Sequence, residues 1–323
     1  MARRWVNFLT ESAFKTATSN TQNNTTLGVS WLPIELISDD AVNFNWMPDR
    51  EDIRTALARN RVERQVGTTY SLTGSGKTLL YPAQDNLLIG WGFTRNDMGG
   101  AGTTDDVPWT TTEPARDLAS VIFASYAEDD ALTAEKYRYD GCKCGRMALA
   151  ASADNQAFEL SFDFTGSQRI ASDASDVEPV KTYYPSTAPY HLSDAALVVN
   201  GNTIANFSGV TIQVENELQP RKDNRTYAQP IRGWGRLVTL QVQQLYKATP
   251  DLQALFQART SLSSCTVVLT HPTGPTLTFD LKASSRITDY KRVYPIGKSH
   301  EEQYTITAWY DRTAASDMTV AFT

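Results

Sequence analysis

Alternation with a period of two dominates this chain and most constrains its fold. In "FELSFDFT", Phe158, Leu160, Phe162 and Phe164 fall on one face, with Glu159, Ser161 and Asp163 on the other. "LVTLQVQQLY", "TLTFDLKA" and "YTITAWYD" repeat the pattern. Successive side chains of a strand point to opposite faces, so these segments are strands with one face buried and one polar. An all-β fold follows. "VVLTHPTGPTLTFDL" is a hairpin with its tip at residues 271–275, and "ALVVNGNTIANFSGVTIQVEN" turns at Asn200-Gly201, a pair suited to positive φ. Helices are few. "TPDLQALFQART" offers Thr249 as N-cap, Pro250 at the first helical position and a stripe of Leu252, Leu255 and Phe256. "YPAQDNLLIGWGF" and "EDIRTALARN" from Glu51 are two further short candidates.

The two halves of the chain repeat one order: strand, long excursion, strand, short helix, hairpin, strand. "LLYPAQDNLLIGWGF" set over "QLYKATPDLQALFQA" brings Tyr81 onto Tyr246, an offset of 165. Val121 meets Val267 and Phe158 meets Tyr304, each at an offset of 146. A polar loop after Phe93, "GGAGTTDDVPWTTTE" over 99–113, absorbs the change of offset as an insertion near 94–117. The expected organisation is two tandem domains, 1–170 and 190–323. The Ser-, Asp-, Thr- and Pro-rich stretch 167–189 supplies a linker at 171–189. At 323 residues the chain has room for both.

Candidate chemistry is thin. "SLTGSGKTLL" contains GSGKT, the end of a phosphate-binding loop, but Ser71 stands where the first glycine belongs, and Pro82 would break the helix such a loop opens. Thr73-Gly74-Ser75-Gly76 is better taken as a hairpin tip or strand edge between Tyr70, Leu72 and Leu79, Tyr81. Cys142 and Cys144 share one face of a strand, yet a zinc site wants C-x₂-C and two more ligands, and the chain holds three Cys and three His. Asp105-Asp106 and Glu128-Asp129-Asp130 are adjacent carboxylates in turns, unlike a rigid catalytic pair. Trp91, Trp109, Trp234 and Trp309 could line a sugar site, but anchoring a core or an interface is the commoner role. No catalytic residue, cofactor or metal is therefore expected.

The formal net charge of −6 argues against tight binding to nucleic acid. The basic run Arg221, Lys222, Arg225, Arg232 and Arg236 is expected to meet acidic turns of a neighbouring subunit. No segment is apolar enough to span a membrane, and "MARRWVNFLTESAF" lacks the apolar stretch of a signal peptide, so synthesis and folding in a cytoplasm are expected.

In the second half, "VTIQVENELQPRKDNRTYAQPIRGWGRLVTLQVQQLY" runs from a strand ending near Asn216 into a polar excursion and back through the glycine-bearing RGWGR into the next strand. "PDLQALFQ" and the closing hairpins follow, and "KYRYDGCKCGRMALAA" supplies a matching strand pair in the first half. In this order of elements the chain resembles the tail tube proteins of long-tailed bacteriophages. The resemblance implies two tandem β-sandwich or barrel domains, each with a short flanking α-helix, in a structural virion protein that is not an enzyme. It implies self-assembly into stacked rings forming the conduit for genome delivery. Tail tip, terminator and tape-measure proteins would be its other partners, and DNA would pass without specific binding. With six domains to a ring, two per chain imply a trimer. The excursions 43–67 and 215–235 are expected to be mobile in the free subunit and to make inter-ring and inter-subunit contacts. Trp46, Pro48, Asp49 and Arg64 would act from the first, and Glu217, Arg221, Arg225, Arg232, Trp234 and Arg236 from the second or its rim. A carbohydrate-binding or carbohydrate-hydrolysing β-sandwich is the alternative.

Overall fold

The computed structural model describes residues 3–13, 16–17, 32–34, 42–53, 64–82, 86–93, 109–111, 120–128, 135–171, 188–221, 229–246, 251–272, 275–294, 300–314 and 316–323. The first half holds β1 (Arg3–Ala13), β2 (Thr16–Ala17), β3 (Leu32–Ile34), β4 (Val42–Ile53), β5 (Arg64–Leu79), α1 (Asn86–Phe93), β6 (Trp109–Thr111), β7 (Ser120–Glu128), β8 (Glu135–Ser152), β9 (Glu159–Gly166) and β10 (Gln168–Ala171). The second holds β11 (Ala195–Val199), β12 (Asn202–Ile204), β13 (Phe207–Arg221), β14 (Gln229–Leu245), α2 (Leu252–Ala258), β15 (Cys265–Thr270), β16 (Thr276–Leu281), β17 (Arg286–Val293), β18 (Glu301–Ala308) and β19 (Met318–Phe322). The fold is all-β and antiparallel, with one short α-helix in each half among the described residues.

The halves are two copies of one unit. Eight pairs join β5 to β9, from Leu72↔Gly166 to Leu79↔Glu159, and eight join β14 to β18, from Val238↔Ala308 to Leu245↔Glu301. The second set lies 166 residues later on one strand and 142 later on the other. The helices obey the same offset, α1 beginning at Asn86 and α2 at Leu252. The sequence offsets of 165 and 146 named the right elements but slipped their register. An odd slip of one also exchanges the two faces of a strand, which is why an offset of 165 sets buried Leu72 over exposed Leu237.

Each copy is a sandwich. In the first, β4-β5-β9 and the end of β8 form one layer, while β3-β1-β7, the start of β8 and β10 form the other. Phe123 of β7 meets Phe162 and Phe164 of β9 across the core, with ring centroids 6.0 and 4.9 Å apart. The single strand β8 serves both layers, and Gly141 at φ 67° sits within it at the register shift of the β7 pairing, just before the stretch paired to β9 begins at Lys143. In the second copy β16 and β17 take the place of β8, and the chain turns between them, with Ser285 N–H donating to Lys282 C=O.

Several local expectations give way to pairing. Thr73-Gly74-Ser75-Gly76 is no hairpin tip but the middle of β5, directly opposite β9. Gly74 and Gly76 face the core, where the rings of Phe164 and Phe162 lie over them. A Cβ at either position would come within 2.2 Å of a ring carbon. These glycines are cross-strand partners of bulky aromatics rather than turn formers. Glu51 to Ile53 continue β4 instead of opening a helix. The helix α2 is capped by Asp251, whose Oδ1 accepts from Ala254 N–H at 3.0 Å, rather than by Thr249, which lies outside the described residues. The segment taken as a linker from 167 begins with β10, paired to β8. Within the insertion, β6 pairs with β19 and so adds a strand of the first half to the second half's own layer. The Asn200-Gly201 turn forms as expected, at φ 50° and 77°.

Candidate functional site

Strand β8 of the first copy pairs with β13 of the second, from Gly209↔Ser152 to Glu215↔Arg146. This seam fuses one layer from each copy into a run of eight strands, β4-β5-β9-β8-β13-β14-β18-β17. One face is the apolar core. The other carries the polar half of the period-two pattern: Thr73, Ser75, Ser161 and Thr165 in the first copy, Thr211, Gln213, Thr239, Gln241, Gln303 and Thr305 in the second. Shallow concavities of about 470 and 400 Å³ lie on this face, one lined by Asn45, Ser75 and Thr165, the other by Thr211, Gln241 and Thr305. They occupy nearly matching places in the two copies.

Charges on the polar face are few and mostly paired. Lys77 Nζ reaches Glu159 Oε1 at 2.7 Å. Arg146 donates to Gln213 Oε1 at 2.9 Å and stands 3.9 Å from both Asp163 and Glu215. Gln243 donates to Glu301 at 2.8 Å. Asp289 and Lys291 also lie on this face, and Lys143 and Arg286 stand opposite its Thr165 and Thr307. Such exposed pairs are worth about 0–1 kcal/mol each, so their effect is on the surface potential more than on stability. The lysine of GSGKT is thus ion-paired within a strand, and the motif does not open the helix that phosphate binding requires.

Among the described residues, both excursions run as paired antiparallel strands, termed arms. Arg50–Ile53 pair with Arg64–Gly67, and Leu218–Arg221 with Gln229–Arg232. Each arm leaves the sheet at a break in register, after Asp49 in the first and after Asn216 in the second. In the second, Glu217 alone faces Gly233-Trp234-Gly235, and a Cβ on Gly235 would lie 3.2 Å from the Glu217 carboxyl carbon. The backbones of Pro48, Asp49, Arg64, Arg221, Arg232 and Trp234 lie on these arms or at their bases. Arg225, like Asp105 and Asp106, falls outside the described residues. Trp46 stacks on Tyr70, its centroid 5.0 Å away.

Arg236 departs from its expected role. Its guanidinium is buried and bridges Asp317 at 2.9 Å within the same chain, so it offers no exposed charge to a neighbouring subunit. Trp91 is wholly buried, with Nε1–H donating to Cys142 C=O, and is a core anchor rather than a sugar platform. Cys142 and Cys144 do share the core side of β8, and their thiols donate to Tyr139 C=O and Arg146 C=O. Burial, chiefly, pushes the Cys144 thiol well above the ordinary range. Under the β17 edge, Tyr290 donates to Glu302 and accepts from Arg292, while Gln244 donates to the other Glu302 oxygen. Sequence reasoning missed the seam and this network, because both depend on which strands become neighbours.

The described residues thus form a tandem β-sandwich with a long polar sheet face. Residues 6–308 match the family model for phage tail tube proteins, and the chain belongs to that family. It is a structural protein of the phage virion, and no curated protein matches it.

Proposed function

We propose that this chain is the self-assembling subunit of a tail tube, three copies closing a ring of six similar domains, with rings stacking into the conduit for genome delivery. The observation that carries this reading is the repeat: each chain supplies two copies of one sandwich, already joined side by side through β8 and β13. A head-to-tail contact either closes or runs on as a filament, and a unit that contains one such contact internally needs only three external ones for a six-domain ring. The domains are 1–170 and 190–323, joined by 171–189.

In this reading the polar face lines the channel. Its Thr, Ser and Gln side chains offer hydrogen bonds to water, its charges are mostly paired, and the chain's net charge of −6 disfavours holding phosphate, so DNA slides without being held. The arms and their bases make inter-ring and inter-subunit contacts through Trp46, Pro48, Asp49, Arg64, Glu217, Arg221, Arg225, Arg232 and Trp234. The tail tip, terminator and tape-measure proteins meet the tube at its ends and lumen, after synthesis in the host bacterial cytoplasm. Electron microscopy of the purified chain tests this: stacked rings are expected, and dispersed monomers at high concentration would contradict it.

A further inference from the structure

The fused sheet has two free ends among the described residues: β4, paired only to β5, and β17, paired only to β18. Free strand edges invite pairing with another chain. Here the repeat says which edge fits which. β17 is the counterpart of the β8 segment at the internal seam: seven pairs from Lys143↔Thr165 to Ala150↔Glu159 recur as seven pairs from Arg286↔Thr307 to Val293↔Glu301. β4 is the counterpart of β13: Val42↔Gly76 through Pro48↔Tyr70 recur as Val210↔Val242 through Asn216↔Arg236. The two free edges are therefore the same two surfaces that already pair once inside the chain.

We infer that β17 of one copy pairs antiparallel with β4 of the next in the register of the internal seam. This rests on the ring proposed above and adds the residues that face each other. Carrying Met147↔Val214 and Ala148↔Gln213 across the repeat sets Tyr290 opposite Trp46 and Lys291 opposite Asn45. Leu149↔Ile212 and Ala150↔Thr211 become Arg292 opposite Phe44 and Val293 opposite Asn43. The face alternation survives the transfer: Asn43, Asn45 and Lys291 are exposed on the polar face, while Phe44 and Trp46 pack against the core. Two further features suit a partner strand. Met47 beside the β4 edge and Tyr294 at the end of β17 are 56% and 59% exposed. A cavity of about 490 Å³ borders β17, lined by Phe256, Arg259, Arg286, Ile287, Thr288 and Trp309. At the internal seam Gly145, counterpart of Thr288, lies close to Leu218 of the second arm, and Asn216 donates to Cys144 C=O.

Cysteine pairs read this register. Residues directly opposite on antiparallel strands lie within about 4.5–5.5 Å, inside the range a disulfide spans, and residues offset by two lie at about 7–8 Å, outside it. The native cysteines are buried and do not compete. Chains carrying Asn45→Cys with Lys291→Cys are oxidised in assembled rings and run on a non-reducing gel. Covalent dimers and a ladder ending at three chains are expected. Asn43→Cys with Val293→Cys should behave alike, while Asn43→Cys with Lys291→Cys should cross-link at least about tenfold more slowly. Mixing the two single variants, Asn45→Cys and Lys291→Cys, should give dimers only. Rings that cross-link fastest out of register, or not at all at either matched pair, overturn this pairing and leave the tube reading standing. An unmodified chain that forms no rings contradicts both.

Discussion

Gly145 and Thr288 occupy one structural position in two copies. Each is the single unpaired residue of a β-bulge, Gly145 between Cys144 and Arg146 opposite Phe164 and Asp163, Thr288 between Ile287 and Asp289 opposite Ile306 and Thr305. A bulge displaces every pair beyond it by one residue, so its recurrence at the same place is a specific mark of a repeated unit. One bulge lies at the seam that joins the copies, and the other at a free edge.

The glycines of GSGKT should be intolerant for a packing reason. With Phe162 over Gly76, Gly76→Val forces a ring out of a filled core, and a loss of about 1–3 kcal/mol is expected. Urea denaturation of the two proteins checks it. Gly201→Asn, at an open turn with φ 77°, is the contrast and should cost far less.

Asp317→Ala should be severe. It leaves the Arg236 guanidinium buried without its carboxylate, and removing one partner of a buried pair costs about 3–5 kcal/mol. Thermal unfolding reads this directly. If Arg236 instead served a neighbouring subunit, the variant would unfold normally and fail only in assembly.

The strands were legible in the sequence because each carries its own alternation, as Phe158 to Phe164 do. The turn at Asn200-Gly201 was legible because its residues meet a local backbone demand. The repeat was legible as an order of elements. Its register was not, since Tyr81 and Tyr246 resemble one another by letter while the pairing that fixes register lies on β9 and β18. Gly74 and Gly76 misled for a similar reason: turn and strand glycines look alike until the opposing Phe164 and Phe162 are known. Nor could the polar face be assembled from sequence, because it depends on β8 meeting β13, whose paired residues stand 57 to 69 positions apart in the chain.

Alkaline pH should destabilise the subunit. Burial, then the hydrogen bond to Glu302, pushes the Tyr290 hydroxyl up to about 12, and burial pushes the Cys265 thiol up to about 12. Tyr190 and Tyr304 are raised further, chiefly by burial. Because the folded-state values exceed the unfolded ones, of about 10 for tyrosine and 8.5 for cysteine, this stabilisation is complete below those values. It is lost as pH rises toward and through about 12. Unfolding free energy measured from pH 8 to 12 should fall steadily above about pH 9–10, and a flat profile would contradict the burial of these groups.

The arms should serve assembly rather than folding. Deleting 219–231 removes the outer part of the second arm while leaving the pairs from Gly209↔Gln243 to Asn216↔Arg236. The variant is expected to keep its circular dichroism spectrum, to form rings, and to fail to stack them. Tubes of normal length from the deleted chain would exclude the arm from inter-ring contact.

The central claim is that two joined sandwiches per chain make a six-domain ring from three chains. A cryo-EM map of the assembled tube tests it most directly. The account predicts three-fold rings with six similar lobes, a continuous sheet around the lumen crossing β8–β13 and β17–β4 seams alternately, and the insertion near 94–117 at every second lobe. A strict six-fold ring, with one sandwich per chain lining the lumen and the other held outside, would contradict it.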